Sequence, residues 1–212
     1  MGRKGILFDL DGTLWDSAEA VTLSWNRVLE RIGRPERMTT EWMYALMGKT
    51  MDDIAMAMFP TETHEEAVRV LGICMEEENA YVREHGGKLF PGLEEILAEL
   101  KSQGWFLGIV SNCQEGYIEA FLAYHQLEKY FDDTENVGHT GQGKGHNIRL
   151  VVERNRLERA IYLGDTQGDY DAATEAGVPF LHAAYGFGTV PAGTASISDI
   201  RELPDAAEKL LS

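Results

Sequence analysis

An unbroken apolar run, Ile6-Leu7-Phe8, ends in a carboxylate, an apolar spacer and a second carboxylate, giving Asp9-Leu10-Asp11-Gly12-Thr13. A run without polar alternation predicts a strand buried on both faces, the habit of parallel sheets covered by helices. Asp16 or Ser17 supplies an N-cap for a helix reaching about residue 31, and Gly33 its stop. From there to about residue 87 apolar positions recur at helical spacing and no strand-like run appears. Helices are expected over 41–47, 51–58 and 64–85. The last opens on the capping box Thr63-His64-Glu65-Glu66 and carries a stripe of Val68, Leu71, Met75 and Val82. After Phe90-Pro91-Gly92 the strand pattern returns, with buried runs at 105–110, 160–163 and 178–183 and a short strand near 130–132. Helices are expected over 93–103, 115–123, 146–155, 170–175 and 200–211.

This order predicts an α/β fold: a doubly wound, mostly parallel, Rossmann-like sheet with an inserted all-α cap. The core takes residues 1–15 and 88–212, and the cap takes 16–87. A chain of 212 residues is long enough for a core domain with such an insert. The many methionines of the helical block read as adaptable packing.

Charge narrows the partners. With 19 basic and 35 acidic residues the formal net charge is −16, which argues against nucleic acid and anionic membrane. No apolar run reaches membrane-spanning length and no charged-then-apolar leader precedes the first strand, so a cytoplasmic protein is expected. Cys74 and Cys113 fit no metal or redox spacing and read as buried or bystander thiols.

Three buried strands each stop in polar residues: Asp9 and Asp11, then Ser111 and Asn112, then Asp165 and Asp169. Short strand-to-helix connections bring all three stops to one sheet edge. Converging carboxylates repel and raise one another's pKa, and a hard divalent cation, Mg2+ for phosphate chemistry, relieves the repulsion. The hydroxyl and backbone N–H groups at Ser111-Asn112 suit phosphate oxygens, and Lys144, behind a Gly-rich turn, adds a positive charge. His139 and His146 flank that turn but read as solvated loop residues, because hard Mg2+ prefers oxygen. Tyr185-Gly186-Phe187-Gly188 follows the last core strand and reads equally as a surface loop or as the mouth of the site.

Taken in order, Asp9-Leu10-Asp11-Gly12-Thr13, Ser111-Asn112, Lys144 and Gly164-Asp165-Thr166-Gln167-Gly168-Asp169 make the chain resemble the haloacid dehalogenase-like superfamily, in its phosphoglycolate-phosphatase-like branch. The resemblance runs through nearly the whole chain. It departs at Lys144, followed here by Gly145 where proline is frequent in that branch. It implies that Asp9 attacks phosphorus to form an aspartyl-phosphate and that Asp11 protonates the leaving oxygen and then activates water. It further implies Mg2+ held by the Asp9 carboxylate, the Asp11 backbone carbonyl, Asp165 and Asp169. Ser111, the Asn112 backbone and Lys144 would steady the phosphoryl group. The activity implied is a Mg2+-dependent phosphatase acting on a small phosphorylated metabolite. A sugar-phosphate mutase and a carbon–phosphorus hydrolase of the same superfamily are the rivals, and a phosphoryl-accepting signalling receiver is the non-enzyme alternative. Lys49, in the cap segment Met47-Gly48-Lys49-Thr50, is the candidate contact to the non-reacting end of the substrate.

Overall fold

Strand β1 (Lys4–Phe8) is the third of six parallel strands in the computed structural model, which describes residues 2–212. The others are β4 (Phe106–Ser111), β5 (Asp133–Asn136), β6 (Arg159–Gly164), β7 (Phe180–Ala183) and β8 (Ser196–Ile197), in the spatial order β5-β4-β1-β6-β7-β8. Residue Leu7 pairs with Gly108 on one side and Tyr162 on the other. Its side chain enters one core with Phe106, Val110, Ile148 and Ala173, while Ile6 and Phe8 enter the opposite core with Leu97, Leu107 and Ile118. Both faces are therefore packed, which is why the strand shows no alternation in sequence.

The helices on one face are α8 (Lys144–Arg154) and α9 (Gln167–Ala176), and on the other α5 (Leu93–Ser102), α6 (Tyr117–His125) and α10 (Leu203–Leu210). Between β1 and the next core strand come α1 (Ala18–Arg31), α2 (Thr40–Leu46), α3 (Met51–Met58) and α4 (His64–His85). Thr39, Thr50 and Thr63 each cap the following helix through the side-chain oxygen. A two-stranded antiparallel pair, β2 (Trp15–Asp16) with β3 (Lys88–Leu89), ties the start of this helical block to its end. No helix among the described residues is long and apolar enough to cross a membrane.

Several expected details shift. The buried face of α4 carries Ala67, Val70, Leu71, Cys74, Glu78 and Val82, so Val68 is exposed and the stripe is rotated from the expected one. Helix α8 starts two residues earlier than expected, at Lys144, and the Gly-rich turn before it holds a short helix, α7 (Val137–Thr140). Strand β5 falls at Asp133–Asn136 rather than 130–132, its polar side chains suiting a sheet edge. Ser17 holds the N-cap position of α1 but makes no cap hydrogen bond, its hydroxyl being engaged elsewhere.

Candidate active site

The site forms where β1, β4 and β6 end together. The Asp9 N–H donates to Leu163 O at 2.8 Å, extending the β1–β6 ladder by one residue and fixing the first carboxylate at the sheet edge. Asp165 and Ser111 occupy the equivalent ends of β6 and β4. Asp9, Asp165 and Asp169 are buried, and each offers a carboxylate oxygen within 4.8 Å of the other two.

Lys144 organises the anionic side. Its Nζ donates to Asp9 Oδ1 at 2.9 Å and to Asp169 Oδ1 at 2.6 Å, with 5% of the residue exposed. Burial alone would push the ammonium down, but Asp169 and Asp9 hold it well above the usual lysine range. The glycine after it has its own reason: a Cβ on Gly145 would lie 2.5 Å from Glu175 Oε2. The other Asp169 oxygen accepts from the Thr166 N–H at 2.9 Å, the Thr166 hydroxyl at 2.7 Å and the Asp165 N–H at 3.2 Å. This capping box opens α9, so the residue that stiffens the helix end also faces the site.

Asp165 is held from behind. Its Oδ2 accepts from the Phe187 N–H at 2.7 Å and the Gly188 N–H at 3.2 Å, while Oδ1 is buried with no hydrogen-bond partner among the described residues. Burial, then the charge of Asp169, pushes this carboxyl up to about 7. Two glycines permit the close approach. A Cβ on Gly12, whose φ is +81°, would lie 2.4 Å from Asp165 Oδ2, and one on Gly186 would lie 2.3 Å from Gly12 O. The 185–188 loop belongs to the site: its backbone clamps Asp165, and the Tyr185 hydroxyl donates to Thr13 O at 3.0 Å.

Asp11 lies on the other side of Asp9, half-buried and bound by the hydroxyls of Ser17 and, at 3.0 Å, Tyr117. Desolvation by burial raises its pKa and these two donors only partly offset that. Tyr117 carried no signal in the sequence, since its partner is 106 positions away. Burial, and after it the charge of Asp169, also holds Asp9 well above the usual carboxylate range.

The three acids fit a hard cation. Their donors are all carboxylate oxygens, and one of these, Asp165 Oδ1, is buried without a partner. Three carboxylates against the single ammonium of Lys144 leave negative charge that a divalent ion would neutralise.

A cavity of about 50 Å³ opens from this edge towards the helical block, lined by Asp9, Asp11, Ser111, Asn112 and Lys144 from the sheet side. Exposed Lys49 also lines it. Asn112 Nδ2 donates to Gly48 O at 3.1 Å, so this side chain joins the sheet edge to the 47–50 loop. Cys113 is buried, and burial pushes its thiol well above the ordinary range, leaving it unreactive. His139 is largely exposed, and its Nδ1 lies 2.7 Å from Glu135 Oε1.

Comparison with known proteins places this geometry among relatives. The family profile described as haloacid dehalogenase-like hydrolase matches residues 6–183. A curated phosphoglycolate phosphatase of Escherichia coli strain K12 is 28% identical over 214 residues, covering 87% of this chain and 82% of the relative. The crystal structure of a HAD-superfamily hydrolase from Geobacter sulfurreducens matches with a TM-score of 0.72 at 27% identity, covering 97% of each chain. CbbY from Rhodobacter sphaeroides, solved with xylulose-(1,5)bisphosphate, has a TM-score of 0.81 at 20% identity over 96% of each chain, a likeness of fold.

Proposed function

The chain belongs to the haloacid dehalogenase-like hydrolases, and we propose that it is a Mg2+-dependent phosphatase that hydrolyses a small phosphomonoester through a phosphoryl group carried on Asp9. The observation that carries this reading is the buried triad of Asp9, Asp165 and Asp169 closed by Lys144, with one Asp165 oxygen left without a partner. The curated relatives named phosphoglycolate phosphatase support the reaction class.

Asp9 is the nucleophile in this reading, fixed by its backbone bond to β6 and by Lys144. Its side chain forms the new P–O bond as the ester oxygen departs. Asp11 gives that oxygen a proton and later takes one from the water that attacks the phosphoenzyme. A raised pKa suits the first step, because the acid must hold its proton until the leaving group needs it. Lys144, Ser111 and the Asn112 backbone neutralise and orient the phosphoryl oxygens. The Asp9 and Asp165 carboxylates, the Asp11 carbonyl and Asp169 would hold Mg2+, which supplies charge neutralisation at the phosphoryl group when bound.

Residues 16–87 serve as the cap over this edge, and the β2–β3 pair marks where the chain enters and leaves it. Lys49 supplies the exposed cation on the cap side, where it meets an anionic ester on entry. The substrate is a cytoplasmic small molecule rather than a nucleic acid or a membrane lipid.

The test is phosphate release from a panel of phosphorylated metabolites and nitrophenyl phosphate, with Mg2+ and with chelator. Release that needs Mg2+ is the expected result. Phosphoryl transfer to a second sugar phosphate without net release would move the assignment to a mutase.

A further inference from the structure

Glu78 breaks the pattern of its own helix. Along α4 the buried positions run Ala67, Val70, Leu71, Cys74, Glu78, Val82, a stripe of core residues with one carboxylate in it. Burying an acid costs free energy unless something uses it. Glu78 is 4% exposed and accepts a hydrogen bond from Trp25 Nε1 across to α1. Both residues line the cavity that Asp9, Asp11, Ser111 and Lys144 line from the sheet side. Gln114 lines it too, its amide nitrogen held at 2.9 Å by Asn79 Oδ1. Apart from exposed Lys49, the remaining wall on the cap side is largely apolar, with Val21, Met43, Leu46, Met51 and Ile54. A substrate whose phosphoryl group sits against Asp9 therefore extends its tail into an apolar chamber with a carboxyl group in its wall.

Resting on the phosphatase reading above, we infer that Glu78 is a specificity residue that accepts a hydrogen bond from the tail, so the preferred substrates are short phosphomonoesters ending in a hydroxyl or ammonium group. A carboxyl group accepts such a bond whether or not it carries its proton. A tail ending in a carboxylate, as in phosphoglycolate, finds no spare buried cation among the described lining residues, and Glu78 repels it once its own proton is lost. Lys144 is committed to Asp9 and Asp169, and among the described residues the only other cation on the lining is the exposed Lys49. The cavity is small as a whole, about 50 Å³ with the Asp9 end included, which favours short esters. Specificity thus arises partly from a group placed against the wrong ligand.

Three two-carbon esters differ at the tail end alone: phosphoglycolate, 2-hydroxyethyl phosphate and phosphoethanolamine. Their affinities for the Asp9→Asn protein, measured by calorimetry with Mg2+, read the tail preference without turnover. Turnover of the same esters and of nitrophenyl phosphate by the wild type tests the phosphatase reading separately. The hydroxyl or ammonium tail should bind about tenfold or more tighter than the carboxylate tail. Adding Glu78→Gln, which keeps an acceptor for Trp25, should shift the ratio between ammonium and carboxylate tails several-fold towards the carboxylate. A merely structural Glu78 would weaken all three esters alike and leave the ratio unchanged, which overturns the inference. Preference for phosphoglycolate in the Asp9→Asn protein, or no binding of the other two, overturns it as well, even if the double variant does not fold. If that phosphoglycolate preference disappears on Lys49→Met, the tail end belongs to Lys49 instead.

Discussion

At Asp165, one carboxylate oxygen takes two backbone donors from the 187–188 turn while the other is buried and unpaired. Removing the side chain leaves those amides without an acceptor and takes one carboxylate from the triad proposed to hold the cation. Asp165→Ala is expected to raise the Mg2+ concentration for half-maximal phosphate release by about tenfold or more. Unchanged metal dependence would remove Asp165 from the ligand set. Lys49 permits a milder prediction. At the entry to the cavity it attracts the anionic ester equally in ground and transition states, which changes KM and leaves kcat nearly alone. Lys49→Met should raise KM for the best metabolite several-fold, and an unchanged KM would make Lys49 a surface residue. Glu78 also predicts a pH effect on stability. Burial pushes its carboxyl up to about 8 from an ordinary 4.5. Between those values the folded protein holds a proton that the unfolded chain has released, so this group's effect is to lower stability as pH rises. Glu78→Gln removes that slope. Its Tm should exceed the wild-type Tm by more at about pH 8 than at about pH 5. A gap that does not grow with pH would mean that Glu78 ionises normally in the fold.

Among the elements, α9 has the most direct link between local folding and the site. Thr166 accepts from the Asp169 N–H and donates to the Asp169 carboxylate, so one hydroxyl both caps the helix and aims an acid. Thr166→Ala should cost about 0.5–2 kcal/mol in stability by denaturant unfolding. No measurable cost would mean the cap contributes nothing in solution. Much of this was legible in the sequence. Buried strands at residues 6–8 and 160–163 have no alternation to confuse their reading, and Thr50, Thr63 and Pro60 mark helix ends directly. The β2–β3 pair was not legible, because two residues per strand show no period. Nor were Tyr117 and the 187–188 amides, which reach Asp11 and Asp165 only through tertiary folding and, for the amides, through backbone atoms that carry no residue signature. Glu78 did leave a trace: it follows Cys74 and precedes Val82 at helical spacing, on the face that the true register buries.

Across the whole molecule, a protein of net charge −16 must bind an anionic ester against its own field. Positive charge is concentrated where it is needed, in buried Lys144 and in the divalent ion that the carboxylates are suited to hold. The sheet brings Asp9, Ser111 and Asp165 to one edge, and residues of the helical block line the other side of the small cavity there. The central claim is that the phosphoryl group passes through Asp9, and acid-quenched turnover followed by phosphopeptide mapping tests it most directly. Wild-type protein mixed with a hydrolysed ester and Mg2+ should yield a phosphorylated peptide modified at Asp9, absent from Asp9→Asn, which should also release no phosphate. Phosphate on another residue, or substantial release by the folded Asp9→Asn protein, would contradict the account.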